Sequence, residues 1–491
     1  MIKYISTRSN TAGISSAQAI IKGIADDKGL YIPTSIPKLE ISPEEMTGWT
    51  YQEIAFEVIS KFLPDFNQAK LQAAINSAYD EKFEEKEIVP LKKAGDAYFL
   101  ELYHGKTAAF KDMALSLLPY LMKIAMEQEG FDKKVAILTA TSGDTGKAAL
   151  AGFADVENTE IIVFYPISGV SQVQERQMTT QEGSNVHVFG IKGNFDDAQS
   201  GVKKIFSDKE FEKQLASKGY QLSSANSINI GRLVPQVAYY VYAYVQFIKR
   251  NILKPGEKFN VAVPTGNFGN ILAAYYAREM GIPINKLICA SNENKVLTDF
   301  INTGIYNIDR PFHVTNTPSM DILISSNLER LLFHLSGGDS HEIAGLMESL
   351  EKDKKYQVSE KIIRLMNDFW AGYADQTSTN RAIGDIYKSD SYLIDTHTAV
   401  AYKVYEDYKK ATGDESPVVI AATASAYKFA ESVSEAIGLV KESDGFTSIQ
   451  ALYEKTGTRV PRELQNLKDK KILHNTILEK DGLIDAVRGL F

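Results

Sequence analysis

The sequence of 491 residues contains a single cysteine, Cys289, so it can form neither an internal disulfide nor a site with several thiolate ligands. Its seven histidines include no pair spaced i, i+4 along a helical pattern, and the sequence therefore offers no recognisable zinc site. Low thiol content of this kind is typical of proteins from a reducing compartment. We expect a cytoplasmic protein that holds no metal.

Long apolar runs are also missing. No uninterrupted apolar run reaches 18 residues, and residues 1–10 lack the apolar core of a secretory signal. The most apolar stretch, 233–248, includes Pro235, two glutamines and four tyrosines, which favours a buried helix over a membrane span. We therefore expect no membrane partner.

An excess of positive charge is lacking as well. The chain has 54 Lys and Arg against 62 Asp and Glu, a net charge of −8, and no block of five consecutive basic residues. This balance argues against a nucleic-acid partner. Since the overall field repels anions, an anionic substrate must be held by a local cluster of donors.

The length of the chain predicts more than one structural unit. Residues 1–92 are polar and helix-rich and predict an N-terminal domain, with a helix that starts at Ser42 and Pro43. Residues 93–430 alternate short apolar strands, glycine- or Ser/Thr-rich turns and amphipathic helices. This pattern predicts an α/β catalytic region of two lobes, with parallel sheets covered by helices on both faces and a helical insertion at about 302–390. Residues 431–491 predict a C-terminal segment that packs on this region.

Three turns follow predicted strands, after residues 140, 263 and 421, at the edge where open α/β sheets bind ligands. The first turn, 141–146, superficially suggests a nucleotide P-loop. It has Thr141 where that motif needs glycine and Ala148 where it needs a hydroxyl, so an NTPase is disfavoured. A turn at a helix start still favours an anion or a carboxylate.

Three segments besides the first turn carry candidate chemistry. The pair of glycines in 266–270 lets several N–H groups converge on a phosphate, although a simple tight turn explains the pattern equally well. Residues 226–232 offer amides and one guanidinium, which suit a phosphate but also a solvated loop. Lys111, next to Phe110 at a helix start, could be a desolvated nucleophile, yet its local sequence favours a surface lysine paired with Asp112.

Taken together and in order, these motifs resemble those of the threonine synthase family over nearly the whole chain. The resemblance implies the fold of the pyridoxal-phosphate-dependent enzymes called fold type II, which tryptophan synthase β chains share. The matching segments are 4–8, 23–33, 100–112, 140–146, 193–199, 226–232, 264–270, 318–322, 326–330 and 395–400.

The resemblance also implies a role for each candidate residue. Lys111 would carry pyridoxal 5'-phosphate as a Schiff base, and Thr423 would hydrogen-bond the pyridine nitrogen. The remaining roles concern the phosphate groups and the substrate: Gly266, Asn267, Phe268, Gly269 and Asn270 for the cofactor phosphate, Ser142, Gly143, Asp144 and Thr145 for the substrate carboxylate and the cofactor ring, and Asn229 with Arg232 for the substrate phosphate.

The implied reaction converts O-phospho-L-homoserine and water to L-threonine and phosphate, the last step of threonine biosynthesis, in a monomer or homodimer. Two positions depart from the family pattern: Ser425-Ala426 stand where it often has His-Pro, and Lys106 stands where it commonly has proline. Two alternatives remain. A related enzyme such as a hydroxyamino-acid dehydratase would need no substrate-phosphate site, and a catalytically silent protein would bind the cofactor without turnover.

Overall fold

The computed structural model describes residues 2–10, 12–141, 143–440, 442 and 444–491. In its N-terminal unit, helix α2 (Tyr51–Phe62) is capped by Thr50, whose side chain accepts the N–H of Glu53 while the Glu53 side chain accepts the N–H of Thr50. Its apolar face is buried, which anchors the unit on the rest of the chain. The elements of this unit are β1 (Tyr4–Ser6), α1 (Ser16–Lys22), β2 (Tyr31–Pro33), α2 (Tyr51–Phe62) and α3 (Gln68–Ala78).

The helix expected at Ser42 and Pro43 is instead a short 3-10 turn over Glu45–Gly48. Ser42 still acts as a local cap, because its hydroxyl lies 3.4 Å from the N–H of Glu45. The turn ends at Trp49, whose backbone is extended, so no α-helix forms between Ser42 and the start of α2.

The next part of the chain forms the first strands of the two main sheets, a larger one of six strands and a smaller one of five. The helix expected to start at Lys111 is divided in two at Ser116 and Leu117, and Pro119 lies in the first turn of the second helix, where its missing N–H costs no bond. The elements are β3 (Leu91–Ala94), β4 (Ala97–Glu101), α4 (Asp112–Leu115), α5 (Leu118–Gln128), β5 (Lys134–Ala140), α6 (Asp144–Phe153), β6 (Thr159–Pro166), α7 (Gln172–Thr179), β7 (Val186–Lys192), α8 (Phe195–Ser207), α9 (Lys209–Ser217), β8 (Tyr220–Ser224) and α10 (Ile230–Lys249).

The following part completes the larger sheet. The segment 302–390 is not only helical, because β13 pairs in parallel with β10 and extends the sheet through buried Phe369 and Ala371. The elements are β9 (Phe259–Pro264), α11 (Gly269–Glu279), β10 (Ile284–Ser291), α12 (Val296–Thr303), β11 (Ile305–Asn307), α13 (Leu328–Ser336), α14 (Ser340–Asp353), β12 (Lys355–Gln357), α15 (Glu360–Leu365), β13 (Phe369–Tyr373), α16 (Gln376–Asp390), α17 (Thr396–Thr412) and β14 (Val418–Ala422).

The C-terminal elements return to the smaller sheet. Strand β15 adds to β7 in parallel, and Leu483 and Val487 of the last helix join the core beside α8. Gly201 of α8 permits this approach, because a Cβ there would lie 2.5 Å from a methyl carbon of Leu483. The elements are α18 (Ala430–Ala436), α19 (Gly445–Thr456), β15 (Ile477–Glu479) and α20 (Leu483–Arg488).

The two main sheets confirm the predicted α/β class. The larger has the order β13-β10-β9-β14-β4-β3 and is parallel except for β3, and the smaller has the order β15-β7-β6-β5-β8 and is parallel throughout. Side chains of β9 alternate between two cores: Val261 and Val263 belong to the core that contains α10, and Ala262 belongs to the core that contains α17. Helices therefore cover both faces of the sheet.

Helix α10 is the buried helix that the sequence predicted, and its side chains from Ile230 to Phe247 are all buried. Within the described ranges, no helix combines the length and apolarity needed to cross a membrane. The same part of the chain contains no cluster of His, Cys, Asp and Glu arranged to hold a metal ion.

Candidate active site

The turns after β5, β9 and β14 open into one cavity between the two sheets, as the strand pattern predicted. The start of α4 and the start of α10 form further parts of the walls. Most candidates from the sequence line this cavity, together with several residues that it did not single out: Phe110, Lys111, Asp144, Thr145, Gln199, Asn226, Ser227, Arg232, Gly266, Asn267, Phe268, Gly269, Asn270, Ser319, Met320, His397 and Thr423.

Lys111 is buried, with 9% of its surface exposed, and this excludes the surface lysine that its local sequence favoured. Two backbone hydrogen bonds, here called the clip, join the segment that carries Lys111 to the segment after β14. In the first, Phe110 N–H donates to the Thr423 carbonyl at 2.8 Å. Ser425 N–H donates to the Ala108 carbonyl at 3.0 Å. This clip places Lys111 beside Thr423.

Asp112 is not the partner of Lys111. Its carboxylate accepts the backbone N–H and the hydroxyl of Thr107, each at 2.7 Å. The nearest carboxylate to the Lys111 ammonium belongs to Asp144, at 3.7 Å. Burial lowers the pKa of Lys111 to about 8; Asp144 opposes the shift, while Lys428 and Arg232 add to it. A lower pKa increases the fraction of neutral amine near neutral pH, which is the form that a lysine nucleophile requires.

The loop 266–270 connects β9 to α11. Phe268 has a φ of 62°, in the left-handed region, and Gly266 approaches another backbone so closely that a Cβ would lie 2.7 Å from the Ser319 carbonyl oxygen. Asn327 fixes the loop from outside through its N–H and its side-chain amide, at 3.1 and 3.0 Å from the Asn267 carbonyl. The N-terminus of α11 thus opens on the cavity, which favours an anion.

Asn270 supplies a direct indication of a ligand. Its side-chain oxygen accepts the hydroxyls of Tyr239 and Tyr240, and these bonds fix the orientation of the amide. Its Nδ2 is buried and has no hydrogen-bond partner among the residues that the structure describes. A buried donor without an acceptor is costly, so the loop fits a phosphate oxygen placed in the cavity.

The turn after β5 is closed by Thr141, whose hydroxyl accepts the N–H groups of Gly143 and Gly146 at 2.9 and 2.8 Å. Gly143 has a φ of 128° and does not line the cavity, whereas Asp144 and Thr145 do. Ser142, also expected at the site, lies outside the described residues. The roles that the sequence assigned to this turn remain predictions.

The carboxylate of Asp144 is buried and forms polar contacts with other side chains. Its Oδ1 lies 2.7 Å from the Lys428 ammonium and accepts a 2.9 Å bond from Gln174. Burial would raise the pKa of Asp144, but Lys428 and then Lys111 hold it well below the usual range of a carboxyl group. Asp144 is therefore a carboxylate at all physiological pH values.

Arg232 lies in the first turn of α10 and is 2% exposed. One of its terminal nitrogens donates to the Ala225 carbonyl at 2.7 Å, and its Nε has no hydrogen-bond partner within the described part of the chain. Burial lowers the pKa of Arg232 to about 10, so the guanidinium stays charged at neutral pH. A buried cation with a free donor fits an anionic group of a ligand.

Asn229, which the sequence grouped with Arg232, is used differently. Its oxygen accepts the N–H of Gly231 and so caps α10, and its amide donates to the Ile20 and Ser224 carbonyls at 3.0 and 3.3 Å. Asn229 is fully buried and is not part of the cavity wall. The structure thus gives it a structural role in place of the expected contact with substrate.

Two residues that contact the walls of the site, His397 and Lys428, had no role assigned from the sequence. His397 accepts the Ser319 N–H at 3.2 Å through Nε2, and its Nδ1 lies 3.0 Å from Asp395. Its segment, 395–400, was part of the resemblance but had no assigned role. Lys428 lies five positions after Thr423. The only feature of the sequence that could have drawn attention to it is its position between two aromatic residues, Tyr427 and Phe429.

Arg330 connects the N-terminal unit to this site. Its guanidinium is fully buried and donates to the Tyr31 carbonyl at 2.9 Å, to the Ile228 carbonyl at 2.6 Å and to the side chain of Asn327. Asn327 in turn holds Asn267 of the 266–270 loop. One side chain therefore joins β2, the segment before α10 and the anion-binding loop.

Comparisons with known proteins agree with this geometry. Three family descriptions match successive parts of the chain: threonine synthase N terminus at residues 3–79, pyridoxal-phosphate dependent enzyme at 87–424 and threonine synthase C-terminal at 398–481. The chain is 37% identical to the threonine synthase of Pseudomonas aeruginosa, over 95% of this chain and 97% of that protein.

Two further similarities complete the comparison. The structure of pyridoxal-phosphate-bound threonine synthase from Brucella melitensis matches with a TM-score of 0.87 and 36% identity, over 100% of this chain and 98% of that one. Human threonine synthase-like 1 is 38% identical over 89% of this chain, which spans 60% of the length of that relative.

Proposed function

Because the chain belongs to the threonine synthase family, we propose that it binds pyridoxal phosphate and converts O-phospho-L-homoserine and water to L-threonine and phosphate. One observation carries this proposal: a single cavity contains a desolvated lysine, a phosphate-type loop with a free donor at Asn270 and a second buried cation, Arg232. These groups support two phosphate-binding positions in the cavity, one for the cofactor and one for the substrate.

The residues present fit the cofactor. Lys111 would hold it covalently through Nζ, the 266–270 loop would bind its phosphate with the Asn270 amide and the helix N–H groups, and the Thr423 hydroxyl would meet the pyridine nitrogen. When bound, the cofactor supplies an electron sink that makes the Cα and Cβ protons of the substrate acidic. This fold and cofactor correspond to fold type II.

Residues of the protein itself have separate roles in the reaction. The amine of Lys111, with a pKa of about 8, removes one proton from Cα and one from Cβ of the substrate, and protons return at Cγ once the phosphate has left and finally at Cα. Arg232 binds the substrate phosphate and stabilises the charge on it as it leaves from Cγ. Thr145 and the N-terminus of α6 bind the substrate carboxylate. The buried walls limit the access of water until it adds at Cβ.

Substrate assays on the full chain with added pyridoxal phosphate test this proposal. With O-phospho-L-homoserine, we expect phosphate and L-threonine in equal amounts, measured by phosphate assay and amino-acid chromatography. Formation of a 2-oxo acid from L-threonine, without phosphate release from O-phospho-L-homoserine, would instead identify a dehydratase. A cofactor absorbance band with no turnover of either substrate would identify a silent binding protein.

Gly266→Ala tests the cofactor loop. Its new Cβ would lie 2.7 Å from the Ser319 carbonyl oxygen, so the loop must shift, and we expect the Kd for pyridoxal phosphate to rise at least about tenfold, or about 1.4 kcal/mol. Fluorescence titration of the cofactor-free protein measures the Kd.

Gly345→Ala is the matched control for this variant, because nothing lies within 4 Å of a Cβ at that position in α14. It should bind the cofactor as the unsubstituted protein does. An unchanged Kd in Gly266→Ala would show that the loop does not hold the cofactor.

We further propose a cytoplasmic enzyme that functions as a monomer or homodimer. The single cysteine, Cys289, is buried in β10, and this low thiol content is compatible with a reducing compartment. Light scattering coupled to gel filtration measures the mass in solution, and we expect one or two times 54.5 kDa. A larger mass would contradict the proposed assembly.

A further inference from the structure

The carboxylate of Asp144 lies between two buried lysines, and it contacts them unequally. Lys428 belongs to the 3-10 turn Ala426–Phe429, and its side chain is fully buried, with its ammonium 2.7 Å from Asp144 Oδ1. The same ammonium donates to the Thr107 carbonyl at 2.9 Å. The Lys111 ammonium lies 3.7 Å from Asp144 Oδ2, beyond hydrogen-bond distance.

We propose that Lys428 is a positioning residue, which neutralises Asp144 and thereby leaves the amine of Lys111 free to act as nucleophile and base near neutral pH. A lone buried carboxylate next to Lys111 would keep it protonated, since opposite charges at such distances favour the charged form of each other. Lys428 forms an ion pair with that carboxylate and so offsets its charge. The proposal deepens the proposed function, because it concerns the same lysine.

The charged groups that most affect Lys111 come from four different parts of the chain. Asp144 projects from α6, Arg232 from α10, Lys428 from the turn after Thr423, and Asp112 is its own neighbour in the chain. Two cations therefore balance two carboxylates. Removal of Lys428 would leave an excess negative charge, and the buried setting would weaken solvent screening of it. The pKa of Lys111, lowered mainly by burial, reflects this arrangement, because Asp144 raises it and Lys428 lowers it.

Competitive acetylation of the cofactor-free full chain measures the protonation of Lys111 directly. The rate at which acetic anhydride modifies Lys111, read by mass spectrometry of its peptide, follows the fraction of free amine as the pH changes. We expect a midpoint near pH 8 in the unsubstituted protein. In Lys428→Met the midpoint should rise by about one pH unit or more, so that Lys111 reacts roughly tenfold more slowly at pH 7.

Three further variants separate this role from a structural one. Lys428→Arg keeps the charge and should keep the midpoint. Asp144→Asn leaves Lys428 unopposed and should lower it. The double variant Asp144→Asn/Lys428→Met removes both charges and should restore it toward the original value. Damage to the fold alone would slow acetylation equally at every pH or expose Lys111 and move the midpoint toward 10.5 in all variants.

A midpoint in Lys428→Met that equals that of the unsubstituted protein, in a variant with the same circular dichroism and melting temperature, would overturn the proposal. The same would follow if the double variant failed to reverse the shift. Acetylation needs neither cofactor nor substrate, so a lack of turnover on O-phospho-L-homoserine would disprove the proposed function without affecting this result. The rate of pyridoxal phosphate uptake, followed by absorbance, provides a second measure of the same midpoint.

Discussion

Lys111→Ala is expected to remove the visible absorbance band of the bound cofactor and to lower kcat/KM for phosphate release at least about a thousandfold. The reason is that one side chain both anchors the cofactor and transfers protons, and a positioned acid–base group alone contributes roughly 10²–10⁴ to a rate. Absorbance spectra and a phosphate assay with O-phospho-L-homoserine measure the two effects.

Lys123→Ala is a suitable control for this variant. Lys123 lies on α5 with 54% of its side chain exposed, paired with Glu157 at the surface. Its loss should leave both the spectrum and the rate unchanged. If Lys111→Ala retained more than a tenth of the activity, the assignment of Lys111 as anchor and base would be wrong.

Arg232→Ala has the second largest expected effect. Loss of a charge-assisted hydrogen bond to a phosphate costs about 1.5–3 kcal/mol, so kcat/KM for O-phospho-L-homoserine should fall about 10- to 150-fold. The cofactor band should remain, because the 266–270 loop is untouched. Steady-state kinetics and the absorbance spectrum, recorded on the same preparation, separate the two sites.

Arg232→Lys provides the matched comparison, because it keeps the charge but loses the planar set of donors. It should retain more activity than the alanine variant and less than the unsubstituted protein. Unchanged activity in Arg232→Ala would favour a reaction that needs no substrate-phosphate site, such as dehydration of a hydroxyamino acid.

The sequence alone was sufficient to predict the strands that carry the site. Buried parallel strands are continuous apolar runs, and β5, β9 and β14 end within one residue of the predicted positions 140, 263 and 421 because each is followed by a recognisable turn. It failed at β13. That strand lies at the edge of the larger sheet, in a helix-rich and charged part of the chain, where five residues give no clear period.

The site itself was only partly predictable, because local sequence does not show which distant residues cover a side chain. Lys111 looked exposed, since the segment that buries it follows Thr423. Asn229 looked like a ligand, since a side chain that caps a helix and one that binds phosphate have the same polar character in sequence. Lys428 belongs to no motif that the sequence analysis recognised, and only its contact with Asp144 in the structure suggests a role at the site.

The clip that joins Ala109 to Ala424, reinforced by the bond from Lys428 to Thr107 across 321 positions, has a consequence for biosynthesis. While a ribosome is still synthesising the middle of the chain, Thr423 and Lys428 do not yet exist. Lys111 therefore lacks the neighbours that these two residues provide in the folded protein. Contacts so distant in sequence form late in folding. The newborn chain therefore acquires a reactive lysine, and with it the ability to retain its cofactor, only after almost nine-tenths of its residues have been synthesised.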